Sequence, residues 1–118
     1  MPKNPFHVGN SLQTVPLPPD SLSEGARREW TTIAPVIFEL HTGRPADLRT
    51  LELLCEILAD IRSLEGAIRA DGYTIQGGSG GAKANPALRN LEASRRQAQM
   101  LLDRFGLMPD GRKISDYF

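Results

Sequence analysis

Three carboxylates, Glu52, Glu56 and Asp60, stand four residues apart, a spacing that places them on one face of a helix. A row of this kind can hold a divalent cation or supply an acid/base pair. No histidine accompanies them at helical spacing, so the favoured reading is an acidic face that is solvated or meets arginines of a neighbouring helix. His7 and His41 are isolated; either could serve as a general base in principle, but His41 sits at a helix end, where the dipole alone favours a cation. Cys55 falls within an apolar stripe and reads as a small buried hydrophobe rather than a nucleophile. As the only thiol, it allows neither an internal disulfide nor a Cys-based zinc site. The run Gly77-Gly78-Ser79-Gly80-Gly81 invites comparison with a phosphate loop, yet Lys83 is followed by Ala84 rather than the Ser or Thr that would hold magnesium. No Ser/His/Asp order with a glycine elbow is present. The expectation is a chain with no catalytic residue, no metal site and no cofactor, one that binds and assembles.

Basic side chains are the remaining candidates. The 14 basic and 14 acidic residues cancel, so any nucleic-acid contact has to come from local clustering. Eleven of the 14 are Arg, the side chain suited to bidentate ion pairs and phosphate contacts. Arg27-Arg28, Arg95-Arg96 and Arg112-Lys113 are adjacent pairs that could each touch phosphates. Glu24 before Arg28, Glu65 before Arg69 and Glu92 before Arg96 could instead make ion pairs one helical turn apart. Lys3, Arg44, Arg49 and Lys83 lack such a partner four residues earlier. Together with Arg27 and Arg28 they are the expected DNA-binding residues.

The elements that must position these side chains follow from apolar periodicity. Residues 1–20, with Pro2, Pro5, Pro16, Pro18 and Pro19, read as an extended or disordered arm. A helical domain over 21–108 follows, with helices at about 23–41, 45–71 and 86–105, and 109–118 form a short tail. In the first helix Ser21 or Ser23 is the cap, Ala26, Trp30, Ile33, Ile37 and Leu40 make one stripe, and Pro35 predicts a bend or break near Thr32–Pro35. Gly43 is its expected stop. The second helix starts at Pro45 and carries Leu48, Leu51, Leu54, Cys55, Leu58, Ile61, Leu64 and Ile68. Its length would be roughly 40 Å at 1.5 Å per residue. Gly72 ends it, and the Gly-rich stretch beyond is a short β-hairpin or a flexible loop. The third helix is capped by Asn85 and stopped by Gly106 and Pro109.

The fold class is therefore all-α: a long antiparallel helical hairpin plus a shorter N-terminal helix. Two amphipathic helices cannot bury both stripes completely, so a homo-oligomer is expected to cover the remainder, through Leu51, Leu58, Leu91, Leu102 and Phe105. No apolar run approaches a signal peptide or the ~20 residues of a membrane span, so no membrane partner and an intracellular location are expected.

Three segments in this order resemble one family. The stretch PLPPDSLSEGARREWTTIAPVI (16–37) carries Pro-Pro-x-x-Leu-Ser ahead of a helix with a Trp. ADLRTLELLCEILADI (46–61) is an Asp followed by a Leu-rich run with a Cys. The third, 72–112, has a Gly-rich turn, Lys-x-Asn-Pro-Ala-Leu and a helix ending Phe-Gly-Leu-x-Pro. Together they resemble phage terminase small subunits of the fourth terminase type over about residues 16–113. In that family the last motif usually continues Pro-Ser-Ser-Arg, and here Asp110-Gly111 replace the serines. The resemblance implies a ring-forming, non-catalytic adaptor that engages viral double-stranded DNA and serves a large terminase subunit with the ATPase and nuclease. It also implies action in the host cell cytoplasm and absence from the mature virion. Asn85, Pro86, Ala87 and Leu88 match the family motif, and their role reads as capping and anchoring the third helix. The alternative is a helical-hairpin interaction module, or a DNA-binding regulator, unrelated to packaging.

Overall fold

A computed structural model describes residues 7–8, 11–12, 15–39, 47–78 and 80–107. Expectations placed on Lys3, Leu40, His41, Gly43, Arg44, Pro45, Pro109, Arg112 and Lys113 lie outside these residues.

Helix α1 spans Glu24–Glu39, α2 spans Leu48–Asp71 and α3 spans Pro86–Arg104. Ser23 is the cap of α1: its hydroxyl accepts the Ala26 N–H at 3.1 Å, which satisfies one of the free first-turn amides. The break expected near Pro35 does not occur, because α1 runs continuously through it. Pro35 and Thr31 both face solvent, so the carbonyl that loses its helical donor can be hydrated. At the other end of the bundle Gly106 has φ 71° and closes α3. Its N–H reaches the Asp103 carbonyl at 3.1 Å and that of Leu107 reaches Leu102 at 2.9 Å, the paired bonds of a Schellman stop, with Leu107 fully buried. A Cβ at Gly106 would meet no other atom, so Gly106→Ala is expected to cost only the left-handed backbone, about 1 kcal/mol, read from the urea midpoint.

Helix α2 is the middle layer, packed against α1 on one side and α3 on the other. This explains its buried set. Leu51, Leu54, Cys55, Ile61 and Ile68 belong to the expected stripe, but Ile57 is buried too, and Leu48, Leu58 and Leu64 are partly so. A helix with partners on two sides hides a wider arc than a single stripe. Cross-contacts pair Gly72 with Asn85 and Glu65 with Arg95, so α2 and α3 run in opposite directions.

Two short antiparallel ladders complete the structure, which departs to that extent from an all-α chain. β3 (Thr74–Gln76) pairs with β4 (Ala82–Ala84) in the register Thr74↔Ala84, Ile75↔Lys83, Gln76↔Ala82. The Gly-rich tip is thus a β-hairpin, turned by Gly77 N–H to Gly81 carbonyl at 2.6 Å. The second ladder, β1 (His7–Val8) with β2 (Ser11–Leu12), falls in the segment expected to be an extended or disordered arm. That segment is also fastened further on: Pro16 is buried, and its carbonyl accepts the Trp30 indole N–H at 2.9 Å.

Candidate nucleic-acid interface and subunit surface

Two of the three carboxylates in the acidic row on α2 are used structurally. Glu52 pairs with Arg49 at 3.7 Å, and Asp60 is exposed. Glu56 reaches across to α1, where one carboxylate oxygen accepts the Ser23 N–H at 3.0 Å and the other the Ser23 hydroxyl at 2.7 Å. The cap of α1 is therefore itself held by α2. Sequence reasoning missed this contact because Ser23 and Glu56 are 33 residues apart. The backbone bond first, and then the hydroxyl bond, hold the Glu56 carboxyl below its ordinary value. A carboxylate whose folded pKa is depressed stabilises the fold above its unfolded pKa and loses that contribution as pH falls through the folded one. Acid titration of unfolding is expected to show such a component below about pH 4.5, the ordinary carboxyl value, and Glu56→Gln to flatten it.

Cys55 is buried without contact to solvent, and burial, followed by the charges of Glu29 and Glu56, pushes its thiol up to about 12. Thiol-specific labelling at pH 8 is expected to be negligible in the native protein and complete in denaturant; fast native labelling would show that α2 is not seated as described. Among the described residues no group of three His, Cys, Asp or Glu is placed to hold a metal ion. Nor, among them, is any helix long and apolar enough to cross a membrane.

The expected DNA-binding residues divide. Arg27 donates to the Pro19 carbonyl at 3.1 Å and pairs with Asp20 at 3.7 Å. Arg28 pairs with Glu24 at 3.6 Å. Arg49, which lacks an acidic residue four before it, pairs with Glu52 three residues on. Lys83 stands exposed on β4. Of the ion pairs that the spacing allows within helices, those at Glu65–Arg69 and Glu92–Arg96 do not form. Glu65 is taken by Arg62 at 3.6 Å and by Arg95 of α3 at 3.1 Å, and Arg62 also binds Glu29 of α1 at 3.0 Å. Arg62 and Glu65 thus tie all three helices together, a role that spacing within one helix could not reveal. The groove between α1 and α2, about 630 Å³, is lined by Arg28, Arg62, Glu29, Glu56 and Asp60. Its mixed charge does not make it an anion cradle.

The residues expected to meet other copies sit largely inside the chain. Leu51, Leu91, Leu102 and Phe105 are buried inside the chain's own core, and Leu58 is half-buried against it. The stripe that looked too long for one chain is covered because α1 and α3 cover different sides of α2. Among the described residues, the larger apolar side chains left exposed are Val15, Leu17, Leu53, Tyr73 and Met100, with Leu17 at 82 %.

The motif Asn85-Pro86-Ala87-Leu88 joins the tip to α3. Asn85, only 7 % exposed, accepts the Ala87 N–H on its side-chain oxygen at 3.0 Å and donates its amide to the Gly72 carbonyl at 2.8 Å. Its backbone N–H reaches Tyr73 at 2.8 Å and its carbonyl accepts the Leu88 N–H at 3.0 Å. Pro86 takes the first helical position, where no N–H is needed. One residue thus closes the C-terminal end of α2, the base of the β-hairpin and the start of α3.

No curated protein and no solved structure matches the chain. The family model described as phage terminase, small subunit, matches residues 26–115, which take in α1 but for its first two residues, α2, the β-hairpin and α3. A match over that much of the sequence, on a helical chain whose Asn-Pro-Ala-Leu motif performs the cap it was expected to perform, places this protein in the phage terminase small-subunit family.

Proposed function

We propose that the chain is the non-catalytic DNA-recognition and adaptor component of a phage genome-packaging motor. It binds viral double-stranded DNA, assembles as a ring of copies and regulates the large subunit that carries the ATPase and nuclease. It works in the host cell cytoplasm and leaves before the virion matures. The observation that carries this reading is the family match over residues 26–115. The use of the acidic row, Cys55 and the Gly-rich tip as structural parts agrees with a binding role. With Leu51, Leu91, Leu102 and Phe105 buried internally, contact between copies falls to apolar side chains left outside, among the described residues Leu17, Leu53, Tyr73 and Met100.

Light scattering after gel filtration, DNA binding across a salt series and ATPase measurement with the neighbouring large subunit together test the reading. The expected result is a multi-copy oligomer, affinity that falls with salt, and a changed ATPase rate. A monomer at micromolar concentration with no effect on the ATPase would overturn it. Binding to one discrete operator without any effect on the motor would identify a regulator instead.

A further inference from the structure

We propose that the outer face of α3, carried by Arg89, Arg96 and Arg104, takes the phosphodiester backbone of double-stranded DNA; this rests on the DNA-binding reading above and names its surface. The described cations fall into two sets. Arg27, Arg28, Arg49, Arg62 and Arg95 all hold carboxylates. They lie on α1, on α2, or, for Arg95, on the side of α3 turned toward α2. Arg69, Lys83, Arg89, Arg96 and Arg104 have no ion-pair partner among the described residues, and all five are exposed. They occupy the end of α2, the β-hairpin and α3. Among the described residues the unpaired cations are thus gathered on these elements, where Asp71, Glu92 and Asp103 are the unpaired acids, although the chain as a whole is neutral.

Helical geometry gives this set a shape. At about 100° and 1.5 Å per residue, Arg89, Arg96 and Arg104 fall within an arc of roughly 80° and span about 22 Å. That length matches roughly six phosphates of one strand at 3.4 Å each. The residues between them on the same arc are Ala93 and Met100, neither of them acidic, while Gln97 past one edge and Asp103 past the other each stand about 20° outside it. Glu92 and Asp103 lie along one flank and are paired with none of the three arginines. Leu91, Ala98 and Leu102, on the opposite side, are buried, so the ridge is held outward by the core. An unpaired guanidinium keeps its planar fork of donors free for phosphate oxygens, whereas Arg28 and Arg49 already share theirs with Glu24 and Glu52.

The test measures binding of the full chain to a 30-base-pair duplex by fluorescence anisotropy across a salt series. R89Q/R96Q/R104Q is expected to weaken binding about 10²-fold at 0.1 M salt and to make the slope of log K against log salt shallower by about 3. R89K/R96K/R104K is expected to restore most of both, and R28Q/R49Q to stay within about twofold of the parent. Circular dichroism and light scattering on the same samples report folding and assembly. If the parent binds and the glutamine variant binds equally well with an unchanged slope, the proposal is overturned while the DNA-binding reading stands. A glutamine variant that stays folded but changes oligomer size would make the ridge a contact between copies and overturn it as well. A parent protein with no salt-dependent affinity would remove the DNA-binding reading itself.

Discussion

Trp30→Ala is expected to cost about 3–5 kcal/mol of stability, a large share of the ~5–15 kcal/mol of a typical domain, and to leave a chain close to unfolding at room temperature. Trp30 is 2 % exposed and lies among the largest fully buried side chains of the core. Two losses add. Removing the indole opens a cavity in the core that α1 presents to α2, which the rigid helices on either side cannot close. It also frees the Pro16 carbonyl, whose hydrogen bond from Nε1 fastens the Pro-rich segment to α1. Trp30→Phe separates the two. It keeps most of the apolar volume and loses the hydrogen bond, so about 1–2 kcal/mol is expected. Urea unfolding followed by circular dichroism measures both. A Phe variant as damaged as the Ala variant would mean that the tether, not the volume, dominates.

Asn85→Ala is expected to cost about 2–3 kcal/mol, more than the ~1 kcal/mol of an ordinary helix cap. The reason is that Asn85 satisfies partners on both sides. Its oxygen caps α3 through Ala87, and its amide serves the Gly72 carbonyl at the end of α2. Truncation leaves a helix amide and a carbonyl without their partners, and each such loss in a partly buried place costs about 1 kcal/mol or more. Asn85→Asp is the informative companion. It keeps the capping acceptor and gains from the helix dipole, but it has no donor for Gly72 and sets a carboxylate oxygen against that carbonyl. Aspartate is therefore expected to recover only part of the loss. Full recovery would show that the bond to Gly72 contributes little.

Local signals made much of the helical framework legible beforehand. Ser23, Asn85, Pro86, Gly72 and Gly106 mark helix ends through chemistry confined to a few residues: a hydroxyl or amide near free N–H groups, a ring that needs no donor, a backbone free to turn left-handed. Pro35 misled for a related reason. The local rule counts the lost hydrogen bond but not where it is lost, and on α1 both Thr31 and Pro35 are on the exposed face. Cys55 was legible because its place in the stripe already implied burial.

The polar surface was less legible, because its partners come from distant parts of the chain. Spacing of four assigns Glu65 to Arg69 and Glu92 to Arg96, whereas Glu65 serves Arg62 and Arg95. The same rule left Arg49 unpartnered and passed over Arg89 and Arg104, because it does not look three residues onward or across to another helix. The sequence by itself determined that this chain is mostly helical, which residues cap or stop several helix ends, and which family it belongs to, since those depend on short motifs and their order. Only the tertiary structure decided that α2 is covered on two sides by its own chain, which turned the supposed subunit stripe into core. It alone decided which charges are neutralised across helices and which stand free, because an ion pair between helices depends on how two surfaces meet and not on the spacing within either one.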